Sequence, residues 1–201
     1  MTQREACKAC GSMILIATAE KNEGLCVPCK RGYRKDIEAS KVRYQAEKKA
    51  RGLPDRKHWV WLVNEACKIP NGFDGLTSEN QLYFAACLVE GEVYNGGFDQ
   101  YFHNSAADHY AYALKGLIEI GATESCRLLI QAKNILFGSH NVPNNQAARR
   151  SILNKLASSE AREAEISKRL DELDALFWKD TDNFKFKLAK FAEKYGLHNG
   201  F

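Results

Sequence analysis

The chain has 201 residues, 45% of them hydrophobic and 27% charged, with a formal net charge of +4. This is the balance of a soluble globular protein with room for one good core and a small appendage. No apolar run approaches the ~20 residues of a membrane-spanning helix, and the opening seven residues contain no apolar signal core. A cytoplasmic location is therefore expected, where seven cysteines serve as thiols or metal ligands rather than disulfides. The charge is uneven. Residues 1–58 hold fourteen Lys and Arg against seven Asp and Glu, residues 59–148 four against nine, and residues 149–201 eleven against nine. A basic head thus joins an acidic middle, an asymmetry that bears on partners.

The first motif is a double one. Cys7-Lys8-Ala9-Cys10 and Cys26-Val27-Pro28-Cys29 are two Cys-x-x-Cys pairs, 15 residues apart. Four thiolates so spaced close a tetrahedron around one structural Zn2+ and leave no open coordination position for catalysis. Gly11 suits a turn that aims backbone amides at sulfur, and Met13–Ile16 and Gly24-Leu25 read as short strands, so residues 1–30 are expected to form a zinc ribbon. A redox Cys-x-x-Cys normally sits in a βαβ fold, which this pattern lacks. Residues 31–54 then read as a basic helical spacer. Ile37, Val42 and Tyr44 make no continuous apolar stripe there, as in a solvated helix. The sharper alternative is a nucleic-acid contact through Lys30, Arg31, Arg34 and Lys35 beside the ribbon.

Residues 55–201 carry helical periodicity throughout, with Asp55 a plausible first cap. The first helix presents Trp59, Leu62, Val63 and Ala66 inward, with Cys67 expected to be buried. A turn-rich connector covers 69–75. Ser78 with Gln81 fits a capping box for the next helix, which has Leu82, Ala86, Val89 and Val93 on one face. Gly96-Gly97 breaks that pattern, and Phe98, Tyr101 and Phe102 follow as large rings, Phe98 and Phe102 on one helical face. A sharp helix–helix corner plugged by aromatic core is the preferred reading; Asp99 and His103, four apart, are the functional alternative. Later stripes are Tyr110, Ala111, Leu114, Leu117 and Ile118; Cys126, Leu129, Ile130, Leu136 and Phe137; Ile152, Leu153 and Leu156; Ile166, Leu170, Leu173 and Phe177; and Phe184, Leu188, Phe191 and Tyr195. Thr123, Asn144 or Asn145, and the Asp180–Asp182 run are the expected caps, with Gly121, Gly138 and Gly196 as stops. His140 reads as a surface residue, and His58 and His198 stand alone. The fold class is mainly α: a small N-terminal zinc ribbon followed by a multi-helix all-α domain.

The run Leu76-Thr77-Ser78-Glu79, then Glu92-Val93-Tyr94-Asn95-Gly96-Gly97-Phe98-Asp99-Gln100-Tyr101-Phe102-His103-Asn104, then Ile120-Gly121-Ala122, resembles a bacterial all-helical domain family named after a DNA mimic protein. Leu170–Phe177 is similar to that family's closing helix, and the resemblance covers about residues 59–195, outside the cysteine-bearing head. It implies an all-helical fold and a DNA mimic that forms a dimer and occupies a DNA-binding protein's site. This chain departs from that pattern in charge, since a mimic should be strongly acidic and this chain is net basic.

No Gly-rich phosphate loop, Gly-x-Ser-x-Gly elbow or His-Glu-x-x-His occurs. Glu90, Glu92, Asp99, His103, Asp108 and His109 near the corner are the best catalytic material, and Glu92 and Asp99 lie on opposite sides of the glycine break. The function expected is a non-enzymatic interaction protein that binds a protein partner, a DNA-binding protein in the case the resemblance implies, through Glu90, Glu92, Asp99 and Asp108. A nucleic-acid-binding head is the alternative, and a metal-dependent enzyme at the corner the third.

Overall fold

A computed structural model describes residues 3–68, 71–156 and 159–201. Ile69 and Pro70 of the expected connector lie outside the described residues. The chain divides into two compact units, residues 1–56 and 57–201. Among the described residues there are ten α-helices and one two-stranded sheet, and no helix is long and apolar enough to cross a membrane.

In the first unit, β1 (Arg4–Ala6) and β2 (Met13–Leu15) pair antiparallel with Glu5 opposite Ile14. The expected strand at Gly24-Leu25 does not form. Ile16 instead opens helix α1 (Ile16–Lys21), whose Ala, Glu and Lys favour helix over strand. Helix α2 (Val27–Lys30) follows, with Cys26 at its N-cap and Pro28 in its first turn, where a missing N–H costs nothing. Helix α3 (Arg34–Ala50) buries none of its residues, as a helix without an apolar stripe should.

The second unit takes in most of α4 (Pro54–Ala66), then α5 (Ser78–His103), α6 (Tyr110–Glu119), α7 (Thr123–Phe137), α8 (Gln146–Leu156), α9 (Glu160–Phe177) and α10 (Phe184–Tyr195). Short 3-10 turns at Gly72–Gly75 and Ser105–His109 flank α5. The long α5 is the trunk. Ala86, Val89 and Val93 are fully buried on its first half, and Phe98, Tyr101 and Phe102 on its second. Phe98 meets Phe177 of α9 edge-on at 5.6 Å, and Phe102 meets Phe137 of α7 at 5.5 Å. These pairs join three helices in one core, each ring adding its area and a modest quadrupolar preference. Helix α6 crosses α5 closely at Gly116, where a Cβ would stand 2.6 Å from the Leu82 carbonyl oxygen.

Several local expectations change. The cap of α5 is Thr77, whose hydroxyl accepts from the Asn80 amide at 3.3 Å; Gln81 turns instead to the Phe73 carbonyl. Helix α7 begins without help from Thr123. The Asp182 carboxylate, from the α9–α10 loop, accepts from the Ser125 amide at 2.7 Å and the Ser125 hydroxyl at 2.8 Å. Burial opposes ionisation of Asp182, but those bonds and Lys187 outweigh it and lower its pKa. Asn145 and Asp180 do cap, accepting from the Ala148 and Phe184 amides. Val63, Cys67, Ala111, Ile118, Ile130, Ile152 and Tyr195 are exposed rather than inward, while His58 and Arg149 are fully buried. A four-residue spacing rule tolerates a shift of one position, and here the inward side of α4 is centred on His58 and Leu62.

Between the halves of α5, Gly97 sits at φ 78° and ψ −178°, a region occupied almost only by glycine, and a Cβ there would overlap Asp174 Oδ2. Gly97→Ala is expected to cost about 2 kcal/mol or more in urea denaturation, from backbone strain plus displacement of that carboxylate. An unchanged midpoint would mean that the break is not required.

Candidate functional site

The four cysteines form the first site. Cys7 and Cys10 lie in the turn between β1 and β2, and Cys26 and Cys29 at the start of α2, so two short knuckles face each other. Their four sulfur atoms lie within 4.8 Å of one another, and Cys10 Sγ is 3.7 Å from Cys26 Sγ. The Cys26 amide donates to Cys7 Sγ at 3.2 Å, and the Gly11 amide bonds to the Cys7 carbonyl at 2.8 Å. Ser12, with its hydroxyl 3.3 Å from Cys10 Sγ, and Arg34, donating to that sulfur at 2.6 Å, lower the Cys10 thiol pKa to about 5. Cys29 is pushed up to about 12, first by the neighbouring Cys26 thiol and then by burial. A set of convergent thiols, one already held as thiolate by a cation, suits a soft metal ion.

The basic residues expected beside this centre divide by use. Arg34 is turned onto Cys10 and Ser12 and sits 3.5 Å from Glu38, while Lys30 pairs with Glu23 at 2.7 Å. Arg31 and Lys35 make no ion pair among the described residues.

The corner is the second site, and it spends much of its polarity internally. Glu92 accepts from Gln100 Nε2 at 2.6 Å and from Asn104 Nδ2 at 2.9 Å, bridging the glycine break. Asp108 pairs at 2.5 Å with Arg149, whose side chain is completely buried. Arg149 also donates to the carbonyls of Phe102, Pro143 and Asn104, at 3.1, 2.8 and 2.6 Å. Asp99 is exposed and lies 3.2 Å from His103 Nδ1. Glu90 is half-buried; burial and Asp180 raise its pKa, against the pull of Lys185. His109 stacks on Phe73 with ring centroids 3.8 Å apart, and burial lowers its pKa. Thus Glu92 and Asp108 are internal ties, and Glu90 and Asp99 are the expected contact residues with a side chain still available. Among the described residues, the cysteines alone bring three or more His, Cys, Asp or Glu ligand atoms together within 4.8 Å, so the corner's acids and His103 do not converge on a metal position.

Three further polar residues hold the helical unit together, and none belongs to the expected site residues. Asp174 of α9 accepts from the Phe98 amide at 2.8 Å and so caps the second half of α5. Its signal is position, one place after Leu173 and four after Leu170 on a buried stripe. Arg149 likewise shares its helical face with Leu153 and Leu156. His58 lies one turn before Leu62; its Nε2 is 2.8 Å from Asn80 Oδ1, and its ring packs against Trp61, Tyr83, His198 and Phe201. Burial, and then His198, hold its pKa below the ordinary value against the Asn80 bond.

No curated protein and no solved structure matches the chain. Residues 74–195 match the family model described as DMP19-like protein. That span runs from the turn before α5 through α10, and contains the glycine break, its Asp174 cap and the buried Arg149. With more than half of its length inside this match, the chain belongs to the DMP19-like protein family.

Proposed function

We propose that the chain is a non-enzymatic interaction protein that captures a protein partner through its helical unit, while a structural zinc ion holds the cysteine-bearing unit together. The observation that carries the first part is the pair Tyr94 and Trp178, 46% and 52% exposed. Both are ordered in advance. The Tyr94 ring rests edge-on against Phe177 at 5.6 Å, and Trp178 Nε1 donates to the Val93 carbonyl at 3.1 Å. Half-exposed Tyr and Trp on rigid helices lose little entropy on docking, and these residue types dominate binding energy at interfaces. Glu90 and Asp180 lie close enough to raise the Tyr94 pKa after burial has done so, giving the aromatic pair an acidic border. A DNA-binding protein, with its basic surface, is a partner of suitable charge.

Zinc is the ion of choice for four sulfurs. A Zn–S length of ~2.3 Å places tetrahedral sulfurs about 3.8 Å apart, close to the Cys10–Cys26 separation. Bound there, zinc would be held by Cys7, Cys10, Cys26 and Cys29 and would supply cohesion.

A second reading has its own observation. Helix α3 carries six basic residues against three acidic, buries nothing, and has Tyr44 exposed on it with Tyr33 at its N-cap. Those groups could track phosphates and stack bases.

Three outcomes are expected. Elemental analysis of the purified chain finds one zinc per chain, and Cys10→Ser with Cys29→Ser abolishes it; no metal, or two equivalents, would contradict the site. Glu90→Lys with Trp178→Ser lowers capture of the partner at least tenfold in a pull-down, while circular dichroism shows the helical fold retained despite the lost Trp178–Val93 bond. Unchanged capture removes this face from the reading, and Glu92 and Asp108 are left intact because their loss would unfold the corner. Fluorescence anisotropy with DNA and RNA then decides between the two readings. Binding that weakens steeply with salt and is lost in Lys35→Glu with Lys41→Glu favours the head; no binding at low salt excludes it.

A further inference from the structure

Helix α4 turns one polar ring into the core. His58 is fully buried, with its Nε2 2.8 Å from Asn80 Oδ1 of α5. An amide oxygen only accepts, so Nε2 carries the proton and Nδ1 is left as a bare lone pair. That Nδ1 is buried and has no hydrogen-bond partner among the described residues. Four rings surround it: Trp61 of α4, Tyr83 of α5, and His198 and Phe201 from the segment that follows α10. The last two make a cover. Phe201 meets both His58 and Trp61, at 5.0 and 5.7 Å between centroids, and His198 Nε2 is 3.4 Å from the Tyr83 hydroxyl.

The cover is fitted to a neutral His58. A second proton would bury a charge and place a donor at Nδ1 with nothing to receive it. The titratable groups packed on the ring are Tyr83 and His198, and a charge on His198 opposes one on His58. Asp55, Arg56 and Lys57 on α4 and Glu79 on α5, the charged residues nearest in sequence to the His58–Asn80 pair, are not among the groups that shift its titration. Relief must come from water, and the cover is the part that lifts most easily. Its backbone bonds are local, from the Asn199 amide to the Gly196 carbonyl and from the Phe201 amide to the His198 carbonyl. The α4 and α5 walls are held elsewhere by the buried Leu62, Phe84 and Ala86.

We propose that residues 198–201 form an acid-released latch, closed over His58 while that ring is neutral and lifted when it gains a proton. The closed state binds the proton more weakly than the open one, in which His58 returns to the ordinary histidine value of 6.5. The latch is therefore fully closed above that value. Below it, the closed-to-open ratio falls by up to about tenfold per pH unit until the closed-state pKa is passed. Opening uncovers the His58, Trp61 and Tyr83 rings as an aromatic surface. The latch depends neither on the Tyr94–Trp178 face nor on the cysteine centre.

The test is ¹H–¹⁵N NMR of the full chain from about pH 8 to about pH 5, the range in which histidine changes charge. Heteronuclear NOEs of the Gly200 and Phe201 amides report the cover, the Trp61 indole reports what it shields, and the Val89 and Leu129 amides report the core. The cover NOEs are expected to fall by at least half on acidification, with the Trp61 indole shifting at the same midpoint and the core amides unmoved. His58→Phe keeps a ring without a proton to gain and is expected to stay closed throughout. His198→Gln keeps a polar group opposite Tyr83, removes the neighbouring charge, and is expected to release at least threefold less; it decides the matter where His58→Phe does not fold. Cover NOEs that are independent of pH overturn the proposal, as does loss of the core amides together with the cover. So does release that persists unchanged in His58→Phe, or in His198→Gln where that variant decides.

Discussion

A helix that breaks inside a core uncovers amides on one side of the break and carbonyls on the other, and buried backbone groups must be bonded. The second unit is arranged around that demand. Gly97 makes the break, Asp174 supplies the acceptor for the Phe98 amide, and Glu92 gathers Gln100 and Asn104 from beyond it. At the far end of α5, the carbonyls of Phe102, His103 and Asn104 are met by Arg149, Gln146, Arg150 and Arg149 again. Helix α8 therefore acts as the C-terminal cap of α5, and α9 as the N-terminal cap of its second half. Packing follows from this bonding, because Phe98 and Phe102 can meet Phe177 and Phe137 only once the helix has turned.

This use of charge changes what an acidic segment means. The residues between 59 and 148 carry more than twice as many acids as bases, which suggests a surface made to attract cations. Yet Glu92 and Asp108 are tied inside the corner, and Glu124 is paired with Arg127 at 2.5 Å. Removing Arg149 would break the ion pair of Asp108 and take a donor from three carbonyls, a loss of several kcal/mol by the usual behaviour of broken buried pairs. Charges that satisfy the fold are not available for imitation of phosphates. What attracts cations must be the remainder, among them Glu90 near Tyr94 and the exposed Asp99 beside the glycine break.

Periodicity told which faces turn inward, and it worked where side chains pack against neighbours of the same kind. Ala86, Val89, Val93, Leu170, Phe177 and Phe191 are buried as their spacing predicts. The four cysteines were legible for a different reason, since metal chemistry restricts both residue type and spacing. Long-range polar bonds have neither signature. Asp174 lies 76 residues from the amide it caps, and Asp182 lies 57 from Ser125. A local capping rule finds Ser78 or Thr123 because they are near, whereas the fold can supply the acceptor from another helix. The three-residue strand β1 was equally invisible, as alternation over so short a run carries almost no information.

The two units also differ in what makes them cohere. The second has a continuous apolar core from Leu62 to Ala192. In the first, the buried apolar side chains among the described residues are Cys7, Ala19 and Cys26, and two of those three belong to the cysteine cluster. A unit with so little apolar burial cannot offset chain entropy by hydrophobic contact alone, which is where small domains turn to metal or disulfide staples. The four thiols therefore stand where a core would be. A metal ion bound by them would contribute its binding free energy directly to folding. Arg34 fits the same scheme, because a cation at the start of α3 that bonds Cys10 ties the exposed helix to the cysteine cluster of its unit.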